Sequence, residues 1–211
     1  MKKLLTAALI TAMLVLPLGT VALADNEEAS TQTQSAQEYV PGGVPAQVDA
    51  EQSMAPALHG VLLAMLNHNL TSFQADDTVL GWESLYNMLS LYGQLDNRSE
   101  YQNSDTLLLL SETVRDYSAA LDLNFDQLGP LPEELSDRIT YDASSDSYQV
   151  VCGNNDQARF EIRDTVDNGG TLTLSGALVY LADGSDLARF EAQLQPRDNM
   201  FGYAVTAFTV K

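Results

Sequence analysis

The stretch Thr165–Leu194, TVDNGGTLTLSGALVYLADGSDLARFEAQL, decides the fold. Asp167-Asn168-Gly169-Gly170 carries the residues that tolerate positive φ, and such a cluster between apolar runs is a hairpin turn. Ala182-Asp183-Gly184-Ser185 is a second turn of the same kind. Between them Thr171 to Leu181 is apolar on both faces in its second half, the pattern of a central strand. Beyond them Ala188, Phe190, Ala192 and Leu194 alternate with Arg189, Glu191 and Gln193, the period of two that marks a half-buried strand.

The same period extends outward on both sides. Ala158, Phe160, Ile162 and Val166 lie on one face, with Arg159, Glu161 and Arg163 on the other. Tyr148, Val150 and Cys152 alternate before the polar run Gly153-Asn154-Asn155-Asp156. Pro196-Arg197-Asp198-Asn199 turns the chain into a last strand, Phe201 to Val210. Four short, evenly spaced turns joining five strands predict an antiparallel meander. Its apolar face needs a cover.

The cover comes from upstream. Met54, Leu58, Val61 or Leu62, and Met65 recur at helical spacing over Ala50 to Asn67, with Pro56 expected in the first turn. Asp76 or Asp77 caps a second helix, in which Val79, Trp82, Tyr86 and Leu89 form a stripe and Gly93 follows as a stop. Leu107 to Leu110 fits either a short strand or the start of the next helix. Ser111 is expected to cap a helix running to Leu121, with Val114, Tyr117 and Leu121 on one face. The expected class is therefore α+β, with N-terminal helices packed on a C-terminal five-stranded antiparallel meander. The alternative is a sheet that curls toward a half-barrel with a cleft.

Ahead of this lies a segment with the marks of an export leader. Lys2 and Lys3 are followed by an apolar run from Leu4 to Leu18, and Ala22-Leu23-Ala24 supplies a cleavage box. Residues 1–24 are expected to be a signal peptide removed near Ala24, and the product to be secreted. Residues 25–47 are poor in large apolar side chains and read as a disordered acidic arm. Residues 48–211 read as one α+β domain, with a helical half at 48–138 and a sheet half at 139–211. After the leader, no run is long and apolar enough for an integral membrane segment.

The 211 residues hold 10 Lys and Arg against 29 Asp and Glu, a formal charge of −19. Removing Lys2 and Lys3 leaves eight cations against the same 29 acids, or −21. Such a field repels nucleic acid and anionic lipid, so neither is an expected partner. Cys152 is the single cysteine, so no intrachain disulfide is possible, and its place in an apolar pattern reads as a buried thiol.

Chemistry-bearing residues are sparse. His59 and His68 stand nine apart, not the four that would join two metal ligands on one helix face, and no His-Glu-x-x-His run occurs. Asp142, Ser144, Asp146 and Ser147 place oxygens at alternate positions, as a calcium loop does, but without its central Gly and final Glu. The same composition suits a solvated turn, and the loops at Asn154–Asp156 and Asp183–Asp186 carry less of the pattern. No nucleophile elbow, phosphate loop or dinucleotide fingerprint is present. Trp82, Tyr86, Tyr92, Tyr101 and Tyr117 could line a carbohydrate or peptide groove, or simply seal helices onto the sheet. These residues therefore give no assigned catalytic, cofactor or metal site, and no cofactor is expected.

The order of leader, acidic arm, Trp82-x-x-x-Tyr86, Leu91-Tyr92-Gly93, Val114-Arg115-Asp116-Tyr117 and Tyr141-Asp142-x-x-x-Asp146-x-Tyr148 before a meander resembles uncharacterised small secreted proteins of intestinal clostridia and related Gram-positive bacteria. The likeness spans residues 50 to 211. It implies an exported bacterial protein and carries over no functional residue. The expected function is a secreted acidic binding or accessory module without catalysis, for a protein or carbohydrate ligand. The competing readings are a secreted hydrolase using dispersed carboxylates and a homo-oligomeric structural or interaction protein, a homodimer being one form.

Overall fold

Asp49 opens the first helix, α1 (Ala50–Asn67), by accepting the backbone N–H groups of Glu51 and Gln52 on its carboxylate. The computed structural model describes residues 49–211, all within one compact unit of the chain. The expected leader at 1–24 and arm at 25–47 lie outside the described residues. Pro56 sits in the second turn of α1 and not the first, so the carbonyl of Gln52 has no N–H to accept there.

Asp77 caps the second helix, α2 (Thr78–Tyr92), through Val79 and Leu80. Every residue from Leu80 to Leu91 is buried, so α2 is a central helix and not one with a single apolar stripe. It crosses α1 closely at Gly60. A Cβ there would stand 2.5 Å from the Ser84 carbonyl oxygen, and the Asn87 amide donates to the Gly60 carbonyl at 3.3 Å. Gly93 is not a left-handed stop. Its φ is −57°, the chain runs on into a 3-10 turn, and the glycine is there for space, since a Cβ would meet Leu107 at 3.3 Å.

The main correction concerns the sheet. The chain forms two four-stranded antiparallel sheets, not one five-stranded meander. The first contains β1 (Glu100–Tyr101), β2 (Thr106–Leu110), β3 (Ile139–Asp142) and β4 (Ser147–Val151) in the order β1-β2-β4-β3. The second contains β5 (Ala158–Asp167), β6 (Leu172–Tyr180), β7 (Asp186–Pro196) and β8 (Tyr203–Val210) in sequence order. The strand expected to lead the meander is β4, which pairs instead with β2, Leu107 opposite Val150 and Leu109 opposite Tyr148. Gly153-Asn154-Asn155-Asp156 is thus a crossing between sheets and not a hairpin turn. Two backbone bonds enforce this: Cys152 N–H donates to Asp105 O at 2.7 Å, and Gly153 N–H to Ser90 O at 3.1 Å. Both tie the end of β4 to the first sheet and α2 before β5 begins.

The third helix, α3 (Ser111–Ser118), continues as a 3-10 turn through Leu121. Ser111 does not cap it. Its N–H donates to Asp146 O, and the capping position falls on Leu110. Trp82 of α2 packs on Tyr148 of the first sheet, and α1 lies against the second, where Ser53 Oγ donates to Phe201 O. The two long helices therefore sit between the two sheets, in one continuous apolar core. Residues 71–73 extend the edge of β8 through Phe73 N–H to Phe208 O and Val210 N–H to Thr71 O.

The outward face of the second sheet is an ion-pair lattice. Arg163 joins Glu161 and Asp186, Arg159 joins Glu161, Arg189 joins Asp186, and Lys211 joins Glu191. With Arg98, Arg115, Arg138 and Arg197 also paired, every Lys and Arg among the described residues is within 4.0 Å of a carboxylate. Among the described residues no helix is long and apolar enough to cross a membrane.

Candidate functional site

A row of stacked rings crosses the inner face of the second sheet. Phe208 on β8 stacks on Phe190 of β7 at 5.3 Å, Phe190 on Phe160 of β5 at 5.0 Å, and Phe160 on His59 of α1 at 5.0 Å. The planes differ by 11°, 13° and 19° along the row. Strand β6 runs between β5 and β7, and Gly176 is what lets the rings meet across it. A Cβ on Gly176 would be 2.0 Å from the Glu161 carbonyl oxygen and 2.7 Å from the Phe190 ring.

His59 ends the row and floors a cleft. The residue is 2% exposed, and its Nδ1 shares a 2.9 Å hydrogen bond with the Tyr92 hydroxyl at the end of α2. Burial lowers its pKa from 6.5 to about 4, so the ring is neutral at neutral pH. Burial also raises the Tyr92 hydroxyl above its ordinary value. Nε2 has no hydrogen-bond partner among the described residues, and His59 lines both parts of the adjoining cleft. The cleft has two adjoining parts, of about 330 and 220 Å³, that share His59, Asn155 and Ala158. Phe160, Leu181, Leu63 and Leu178 give the walls an apolar character, and Asn154 and Gln157 add amides.

The crossing loop forms the rim, and its place is fixed at both ends. Gly153 packs where a Cβ would stand 2.9 Å from Leu91, and the Gln157 carbonyl accepts the N–H of Leu181. The same departure of β5 from the first sheet that breaks the expected meander opens this cleft.

No known protein family and no curated protein matches the chain.

The second histidine lies elsewhere. His68 caps the end of α1, and its Nε2 contacts the carboxylate of Glu83, which is 3% exposed. Glu83 also accepts from Asn67 Nδ2 at 2.8 Å and Arg138 Nη1 at 3.4 Å, and Arg138 lies over the Tyr86 ring. Both carboxylate oxygens are thus occupied by partners that lock α1, α2 and the start of β3 together.

Asp142 ends β3, Ser147 opens β4, and Ser144 and Asp146 lie in the turn between them. Asp142 Oδ1 accepts from Ser144 N–H and Oγ–H, Asp146 Oδ1 accepts from the Tyr141 hydroxyl, and Ser147 bonds Ser145. These bonds hold Asp142 below its ordinary carboxylate range. Among the described residues no three His, Cys, Asp or Glu side chains are grouped to hold a metal ion. Asp183 accepts the Ser185 N–H, and Asp186 sits between Arg163 and Arg189, which hold it well below the usual carboxylate range. Cys152 is half-buried, and burial raises its thiol.

Of the aromatic residues, Trp82 donates to Gly129 O and Tyr86 to Val151 O, and both are buried seals, as is Tyr117 against Phe201. Tyr101 is exposed and donates to Gln94. Tyr92 alone of the five reaches the cleft. The residues that sequence reasoning did not bring together are Phe160 and Asn155. His59 and Tyr92 are 33 positions apart on different helices, and no local pattern joins them to a strand residue a hundred positions on.

Proposed function

We propose that this is an exported acidic binding or accessory module whose ligand occupies the cleft over His59. The observation that carries the reading is the imidazole itself: buried, kept neutral, held by Tyr92 at one nitrogen and without a hydrogen-bond partner among the described residues at the other. A buried polar atom facing an apolar-walled cleft with amides on its rim is the usual composition of a ligand site. The leader-like residues 1–24 and the resemblance to small secreted clostridial proteins support export.

Two measurements test this. Backbone-amide NMR of the folded chain titrated with a fragment library is expected to place shifts at His59, Asn155, Ala158, Phe160 and Leu181. Shifts centred on the surface groove beside Arg98, Asp116 and Met200 would overturn the placement. For export, intact mass of the protein recovered from culture medium is expected to begin at Asp25. Full-length protein retained in the cells would overturn it.

A further inference from the structure

We propose that the cleft over His59 takes an uncharged six-membered ring bearing a hydroxyl group, a phenol. This deepens the reading of the cleft as the ligand site and rests on it. The hydroxyl is selected by the His59–Tyr92 pair. If the Tyr92 hydroxyl donates to Nδ1, the neutral imidazole carries its proton on Nε2 and donates into the cleft. If Nδ1–H donates to the Tyr92 oxygen, Nε2 is an acceptor. One proton shift reverses the polarity of the floor. A hydroxyl, which donates and accepts, is matched in either state.

Charge rules against an ionised group. An anion would approach a chain of formal charge −19 and find no imidazolium. A cation would find no carboxylate among the residues that line the cleft, where the one charged residue is Arg159. Arg159 itself is paired with Glu161.

Size and lining favour a ring. A protein cavity of about 150 Å³ holds benzene, and the two parts of the cleft measure about 330 and 220 Å³. Leu63, Leu178, Leu181 and the Phe160 ring supply apolar contact for the body of the ring. Asn154 and Asn155 at the rim meet a polar substituent.

The experiment uses p-cresol, N-acetyl-tyrosinamide, toluene, benzoate and benzylamine, each titrated against the folded chain by amide NMR. We expect p-cresol to shift the amides around His59 and to bind about five- to tenfold more tightly than toluene, the value of one hydrogen bond. In His59→Phe, checked for an unchanged fold by its spectrum, that preference falls toward one, whereas in Tyr92→Phe it persists because Nε2 remains. Binding of N-acetyl-tyrosinamide as tight as p-cresol supports the phenol class with a peptide tyrosine as its source. Its failure beside p-cresol supports the class with a free phenolic compound. Equal binding of p-cresol and toluene overturns the proposal. Tighter, His59-dependent binding of benzoate or benzylamine overturns the phenol class and leaves the cleft as the site. Absence of cleft shifts with all five probes overturns both.

Discussion

At the scale of single residues, Gly176 and His59 bear the most consequence. Gly176→Ala would drive a Cβ into the Glu161 carbonyl and the Phe190 ring, with no flexible group to yield. We expect a loss of about 2–3 kcal/mol in urea unfolding, at the upper end of overpacking effects, and a weakened cleft because the ring row shifts. His59 gives a pH signature. Its folded pKa of about 4 lies below the unfolded value of 6.5, so the unfolded chain takes up the proton first as pH falls. Its contribution is whole above pH 6.5, declines between 6.5 and 4, and is gone below about 4. The full difference is about 3 kcal/mol. Unfolding midpoints at pH 7 and pH 4.5 should differ in the native chain, and His59→Phe should flatten that interval. The Asp carboxylates held low, Asp96 and Asp126 among them, act in a lower window, as pH falls below the ordinary carboxylate range. His59 was visible in the sequence as a histidine at the margin of an apolar stripe. Its role was not, because Tyr92 and Phe160 come from other elements.

At the scale of elements, the helices were legible and the strand pairing was not. The boundaries of α1 follow from Asp49 and the spacing of Met54, Leu58 and Met65. Alternation also located β5 to β8, whose turns carry Gly169, Gly170 and Gly184 at positive φ. Period two says that Tyr148–Cys152 is a strand, but not which sheet it joins. The decision is made by Leu107 and Leu109 some forty positions away, in a run of four leucines that fits a helix equally well. The contact of α1 and α2 also shows an asymmetry. Glu83 is buried, while His68 and Arg138 are about 40% exposed on their side chains. Removing both leaves the buried carboxylate with Asn67 as its one side-chain partner among the described residues, whereas removing the carboxylate frees two groups that reach water. His68→Ala combined with Arg138→Ala should therefore destabilise more than Glu83→Gln, by about 2 kcal/mol in urea unfolding. Equal losses would refute the asymmetry.

At the scale of the whole molecule, two helices are held between two sheets, and the cleft opens where the chain passes from one sheet to the other. Composition could not have indicated this layering, since an apolar strand face has the same pattern whether a helix covers it alone or as one of two layers. Composition did give the charge, and the structure adds where the cations stand. Each one among the described residues is beside an acid. The ion-pair lattice on the second sheet is exposed and so adds little to stability. We expect the unfolding midpoint to move only slightly between 0.05 and 0.5 M sodium chloride, and a large drop would show that the lattice matters more.

That pairing has a colloidal consequence. With its cations already matched, each molecule presents surplus carboxylate outward, and two copies repel until salt shortens the reach of the field to about 8 Å near 0.15 M. The osmotic second virial coefficient should be large and positive in dilute buffer and fall as salt is added. Any pairing of two copies would then emerge from the salt-rich end of that curve.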